Sequence, residues 1–130
     1  MKLSLFTPEN TLIEDKDLQE LIVPSVKGYL GILPGHAPLV SLLQAGVLKY
    51  LPKNSENWQS LALGWGYLEV HSEGVRVLAE SAKTKETLDK AKAEQDLKQT
   101  LAKLERMDLE PKEREKLEKE KLWLESQLEL

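Results

Sequence analysis

The stretch GYLEVHSEGVRVLAE, residues 66–80, decides how the first two-thirds of this chain is read. Leu68 and Val70 alternate with Tyr67, Glu69 and His71; after HSEG, Val75, Val77 and Ala79 alternate with Arg76, Leu78 and Glu80. A period of two sends one set of side chains to a buried face and the other to a wetter one. The segment is a β-hairpin. Working outward, LSLFT, NTLIED, LQELIV, GILP, AGVLKYL and QSLALG are equally short and are bounded by Gly, Pro, Asn or Ser. Eight to ten strands at this spacing predict a β-sandwich or flattened barrel.

That pattern stops near Ser81–Thr84. All seven glycines lie at or before Gly74, and five of the six prolines at or before Pro52. Residues 1–82 hold 15 charged side chains and residues 83–130 hold 25, which sets a domain boundary there. From 86 onward, ETLDKAKAEQDLKQTLAKLERM places Ala93, Leu97, Leu101 and Leu104 along one helical stripe. Glu94 with Lys98 and Asp89 with Lys92 add charge pairs at helical spacing. MDLEP ends that helix; Asp108 is placed to cap a second one, with Pro111 in its first turn. KEREKLEKEKLWLESQLEL then puts Leu117, Leu124 and Leu128 on one face beside Trp123. Two helices of about 20 residues make an antiparallel hairpin roughly 30 Å long. Each stripe offers few large apolar residues, worth roughly 1.5–3 kcal/mol apiece if fully buried, and helices of this length are marginal alone. The hairpin 83–130 therefore needs the sandwich or a partner, and it is weakly enough held to move.

Composition excludes several functions. With no cysteine, there is no disulfide, thiolate metal site or Cys nucleophile. A net charge of −4 argues against a nucleic-acid partner, whose phosphates need a basic surface. MKLSLFTPENTLIEDK does not read as a signal peptide, and no window approaches the roughly 20 apolar residues of a membrane helix. The chain is expected to be soluble, with no direct membrane insertion. Two separated histidines make a poor metal inventory, no Ser-His-Asp set stands out, and neither GxGxxG nor GxxxxGK[ST] occurs. No catalytic residues, no metal and no required cofactor are expected.

Between the strands, GYLGILPGHAPLVSLLQAG (28–46) interleaves four glycines and two prolines with aliphatic side chains. His36 lies inside it, flanked by Gly35 and Ala37. Its ring either bonds a neighbouring backbone carbonyl or presents a contact to another protein from a rigid loop, and the two readings are compatible. LDKAKA (88–93) reads as a helix start, with Asp89 favoured by the dipole. The charge-rich helices are either two solvated faces around a small Leu seam or a detachable element for a charged groove.

VPSVKG (23–28), GYLGILPGHAPL (28–39) and GYLEVHSEGVRVLAESA (66–82) together resemble the epsilon subunit of the F-type ATP synthase, over about Leu3 to Ala93. The final helices resemble that family in length, charge and form more than in identity. The resemblance implies a β-sandwich of about ten strands with a C-terminal two-helix hairpin. It also implies a non-catalytic rotor subunit that couples the catalytic head to a proton-driven membrane ring. Ile32, Leu33, Leu39 and Leu42 would pack inward. His36, with Thr7 and Ser41 by position, would face the gamma subunit or the polar loops of the c-ring. Tyr29 is a further expected partner contact; it stands where the family often has an acidic residue, so it would offer area and a hydroxyl in place of a salt bridge to the ring. Trp65 stands where the family commonly has a glycine.

The resemblance further implies a hairpin that can rise along gamma and block ATP hydrolysis at the alpha/beta catalytic subunits through basic side chains. Here residues 83–130 carry 12 basic and 13 acidic groups, which blunts such a latch. Some members bind regulatory ATP through [IL]-D-x-x-R-A. Leu88, Asp89 and Ala93 match that pattern, while Lys92 replaces the arginine, keeping the charge and losing the planar fork. The implied location is peripheral, on the cytoplasmic face of a bacterial inner membrane, although a plastid homologue would look similar. The alternative is a stand-alone nucleotide-sensing module whose hairpin closes on its ligand.

Overall fold

A computed structural model describes residues Met1–Leu130. The strands are β1 (Lys2–Phe6), β2 (Thr11–Ser25), β3 (Gly28–Ile32), β4 (Leu39–Leu43), β5 (Gly46–Pro52), β6 (Gln59–Leu63), β7 (Gly66–His71), β8 (Gly74–Ala79) and β9 (Ala82–Lys83). The helices are α1 (Lys90–Leu104) and α2 (Pro111–Leu128). The chain is a β-sandwich followed by a helical hairpin, with nine strands rather than ten. The strand expected at NTLIED and the one at LQELIV are a single 15-residue strand, β2. LVSLL forms β4, which the period-two reading passed over.

β2 is long because it serves both layers. Its first half pairs with β1; its second half pairs with β5 on one side and β3 on the other. The β1-paired half runs through Asp17 and is interrupted at Asp15, which has φ +46°. There the register against β1 shifts between Leu3 and Leu5, and the Asp15 N–H donates to Ser4 Oγ at 3.0 Å. That is a β-bulge, and a bulge bends and twists its strand. One layer then runs β4-β7-β8-β1 and the other β3-β2-β5-β6-β9. β1 and β8 are parallel; the remaining pairs are antiparallel.

Between the layers lies a cluster of 15 buried side chains that includes Leu3, Leu21, Ile32, Leu43, Leu48, Leu63, Leu68 and Val77. Leu68, Val70, Val75, Val77 and Ala79 of the 66–80 hairpin all face it, as their alternation requires. Every member lies between Leu3 and Ala79; the helices contribute none.

The helices are shorter than their periodic segments, 15 and 18 residues. Asp89 caps α1, its Oδ1 accepting from the Lys92 N–H at 3.1 Å. Asp108 does not cap α2. Its carboxylate takes both Arg106 Nε (3.2 Å) and Nη2 (3.0 Å), and Glu110 occupies the cap position without a side-chain bond. That pairing holds the Asp108 carboxyl below its ordinary range and raises Arg106. On α1 the inward stripe runs Ala93, Leu97, Thr100 and Leu104, while Leu101 is exposed. Arg114 of α2 closes the turn, donating to the carbonyls of Leu104 (3.4 Å) and Arg106 (3.2 Å), where the α1 dipole is negative.

Candidate functional site

The outer face of β4-β7-β8-β1 carries an apolar row beside the polar row Glu69, Arg76 and Ser4. The pairings Leu42↔Tyr67, Tyr67↔Leu78 and Leu78↔Phe6 line four side chains across four strands. Because paired residues share a face, all four point away from the core, opposite Leu43, Leu68, Val77 and Leu5. Leu42 is 64% exposed and its neighbour Val40 73%. Leu42 was expected inside; it is outside because β4 places Leu39, Ser41 and Leu43 inward by alternation. Leu33, also expected inside, is exposed in the β3–β4 turn, whereas Ile32 is fully buried and Leu39 half-buried against the core. A hollow of about 300 Å³ at the Phe6 end of the row is bordered by Thr7, Tyr67 and Leu78. Thr7 is held by exchange with Asn10, its Oγ1 accepting the Asn10 N–H at 3.2 Å.

The β3–β4 turn is built by Pro34 and Gly35. The His36 N–H donates to the Leu33 carbonyl at 3.1 Å and Gly35 has φ +85°, the signature of a type II turn with proline second and glycine third. His36 Nδ1 lies 2.7 Å from the Ala37 carbonyl, so the ring bonds its neighbour's backbone. The β7–β8 turn closes on the same end of the sandwich, and both histidines, His36 and His71, border one hollow of about 470 Å³.

Tyr29 stands elsewhere. It is 61% exposed, its hydroxyl accepts the Val47 N–H at 3.3 Å, and with Leu122 and Ser126 of α2 it borders a cleft of about 270 Å³. Thr7, Tyr29 and His36 thus border three different hollows, and Ser41 points to the core side of β4 with its Oγ 3.3 Å from the Leu42 carbonyl. They do not form one patch.

The hairpin rests on the opposite layer. α2 packs on β5 and β6, and α1 packs chiefly on α2. Their buried side chains are Ala93, Thr100, Leu117, Leu124, Ser126 and Gln127, half of them polar. Between the helices, Asp89, Lys92 and Ala93 border a groove of about 220 Å³ together with Lys83, Asp96, Glu120 and Trp123. Leu88 is outside it, its N–H donating to the Thr84 carbonyl at 3.0 Å. Three carboxylates against two lysines leave the groove short of positive charge, and it is smaller than the roughly 300–1,000 Å³ of most ligand pockets.

Residues 1–85 match the family model described as ATP synthase, Delta/Epsilon chain, beta-sandwich domain. A Synechococcus ATP synthase epsilon chain is 35% identical over 123 residues, covering 95% of this chain and 89% of that one. This chain belongs to the ATP synthase epsilon chain family. The Bdellovibrio bacteriovorus epsilon chain is 43% identical over 89 residues, covering 68% of this chain and 64% of its own length. In fold, the chain is similar to a chain of the Euglena gracilis mitochondrial ATP synthase OSCP/F1/c-ring structure. The TM-score is 0.83 at 20% identity, over 97% of this chain and 78% of that one.

Two features of the chain were not visible in its sequence. One is the outward apolar row: in LVSLL only Ser41 breaks the apolar run, so nothing marks which face is wet. The other is a contact between the hairpin and the sandwich, Lys119 Nζ lying 5.0 Å from the centroid of the Trp65 ring. Its partners are 54 positions apart, and no local pattern joins them.

Proposed function

We propose that this chain is the non-catalytic rotor subunit of an F-type ATP synthase, its sandwich the anchor and its hairpin a movable brake on ATP hydrolysis. The observation that carries this reading is the closure of the sandwich core without any helical residue. An element that leaves without opening the main core can move at modest cost. In this reading the row Phe6, Leu78, Tyr67, Leu42 docks on the gamma subunit, and the end bearing His36 meets the polar loops of the c-ring. A raised hairpin meets the alpha/beta catalytic subunits. No helix is long and apolar enough to cross a membrane, which accords with a peripheral seat on the cytoplasmic face of a bacterial inner membrane. The test is co-purification: a tagged chain should bring down a gamma-containing complex at fixed stoichiometry, and recovery of the chain alone refutes the reading.

Regulatory ATP, in this proposal, binds the interhelical groove weakly, with Lys92 as its only cation near the Asp89 cap besides Lys83. Lys92→Arg restores a bidentate fork and should tighten ATP binding about tenfold, the gain of one good charge-assisted pair. Calorimetric titration of both chains checks this, and unchanged affinity removes Lys92 from the site.

A further inference from the structure

Trp65 gives the sheet no side-chain hydrogen bond, yet it is held rigidly. It lies in the β6–β7 turn, where the Gly64 N–H donates to the Ser81 carbonyl at 2.7 Å and the Glu80 N–H donates to the Trp65 carbonyl at 2.8 Å. These two bonds fix the backbone on both sides of the indole. The indole Nε1–H is buried with no acceptor, which carries a desolvation cost and no compensating bond. The ring's directional contact is with the other part of the molecule, the Lys119 ammonium of α2 over its face.

We infer that Trp65 and Lys119 form a latch that sets how much of the time the hairpin is docked on the sandwich. The inference rests on the movable hairpin proposed above. The latch matters because the rest of the seam is thin: Leu117 and Leu124 are the only large apolar side chains of α2 that are buried, and Ser126 and Gln127 are buried beside them. Ser126 spends its hydroxyl within α2, donating to the Leu122 carbonyl at 2.7 Å. It therefore adds no hydrogen bond to the sheet through that proton. A cation over an indole changes an equilibrium constant by roughly twofold when exposed and up to about thirtyfold when desolvated. Lys119 is solvent-exposed, so the latch lies toward the lower end, about three- to fivefold.

Amide hydrogen exchange on the full-length chain reads this out, with β7 and β8 as internal reference. Lys119→Gln should raise the opening constant of α2 about three- to fivefold and leave β7 and β8 unchanged. Lys119→Arg keeps a cation over the ring and should leave α2 as it was. Trp65→Leu should match Lys119→Gln, and the double variant should open no further than either single one, because both remove the same contact. The latch is overturned if Lys119→Gln and Lys119→Arg behave alike, or if the two single effects add. Should Trp65→Leu disturb β7 and β8, the Gln and Arg variants of Lys119 decide the matter by themselves. The assay uses the isolated chain, so a latch can be found while the hairpin fails to affect hydrolysis; that outcome sinks the brake and spares the latch.

Discussion

Leu42→Glu is expected to weaken binding to the gamma subunit by about thirtyfold or more while leaving the fold intact. A hot-spot side chain in a protein interface contributes about 2 kcal/mol or more to binding, which is about thirtyfold in affinity. A carboxylate buried there without a partner adds a desolvation cost. In the free chain Leu42 is 64% exposed and lies on the outer face against Tyr67. A substitution at such a place shifts stability by only about 0.5 kcal/mol. Surface plasmon resonance against gamma, with thermal unfolding as the control, measures both numbers. Unaltered affinity would remove the outer row from the interface.

The second large effect is internal. Gly66→Ala should destabilise the sandwich by about 3 kcal/mol or more, the upper range for overpacking. Gly66 pairs with Ala79 at the start of β7. A Cβ there would overlap the Leu78 carbonyl oxygen and come within 2.8 Å of the Ala79 Cα. Both obstacles are backbone of the neighbouring strand, so neither can swing aside as a side chain would. Gly31→Ala is the matched control, since its added Cβ meets nothing within 4 Å. Urea denaturation should show a large loss for Gly66→Ala and about 0.5 kcal/mol or less for Gly31→Ala. Equal losses at the two sites would mean that the close packing of β7 on β8 is not what requires glycine at 66.

What could be read from the sequence follows the contrast between neighbouring residues. The 66–80 hairpin was legible because polar and apolar side chains alternate there. β4 was not, because Leu39, Val40, Leu42 and Leu43 are all aliphatic and periodicity cannot orient them. β2 was split in two because Glu14–Asp17 reads as a polar break, whereas a bulge at Asp15 carries the strand through it. On α1 the seventh position after Ala93 lies about 20° from it around the helix and the eighth about 80°; Leu101 was the apolar candidate, and Thr100 is the one buried. Asp108 has the chemistry of a cap but stands two residues before the cap position, which Pro111 at the first helical position leaves to Glu110, and Arg106 takes both its oxygens. The carbonyl bond of His36 was one of two readings of that ring, and the structure holds it. The interhelical groove shows the limit of a local motif: Asp89 and Lys92 come from one segment, but Glu120 comes from the other helix and changes the charge they sit in.

The most direct measurement is ATP hydrolysis by an epsilon-depleted catalytic head, titrated with the full chain and with a chain ending at Lys85. The shorter chain retains β9 and every residue of the sandwich core, so it should still fold and bind. The full chain should lower hydrolysis, and the shorter one should bind without lowering it. Equal inhibition by both, or binding by both with inhibition by neither, would contradict the hairpin as a brake, and failure of both to bind would contradict the rotor assignment itself.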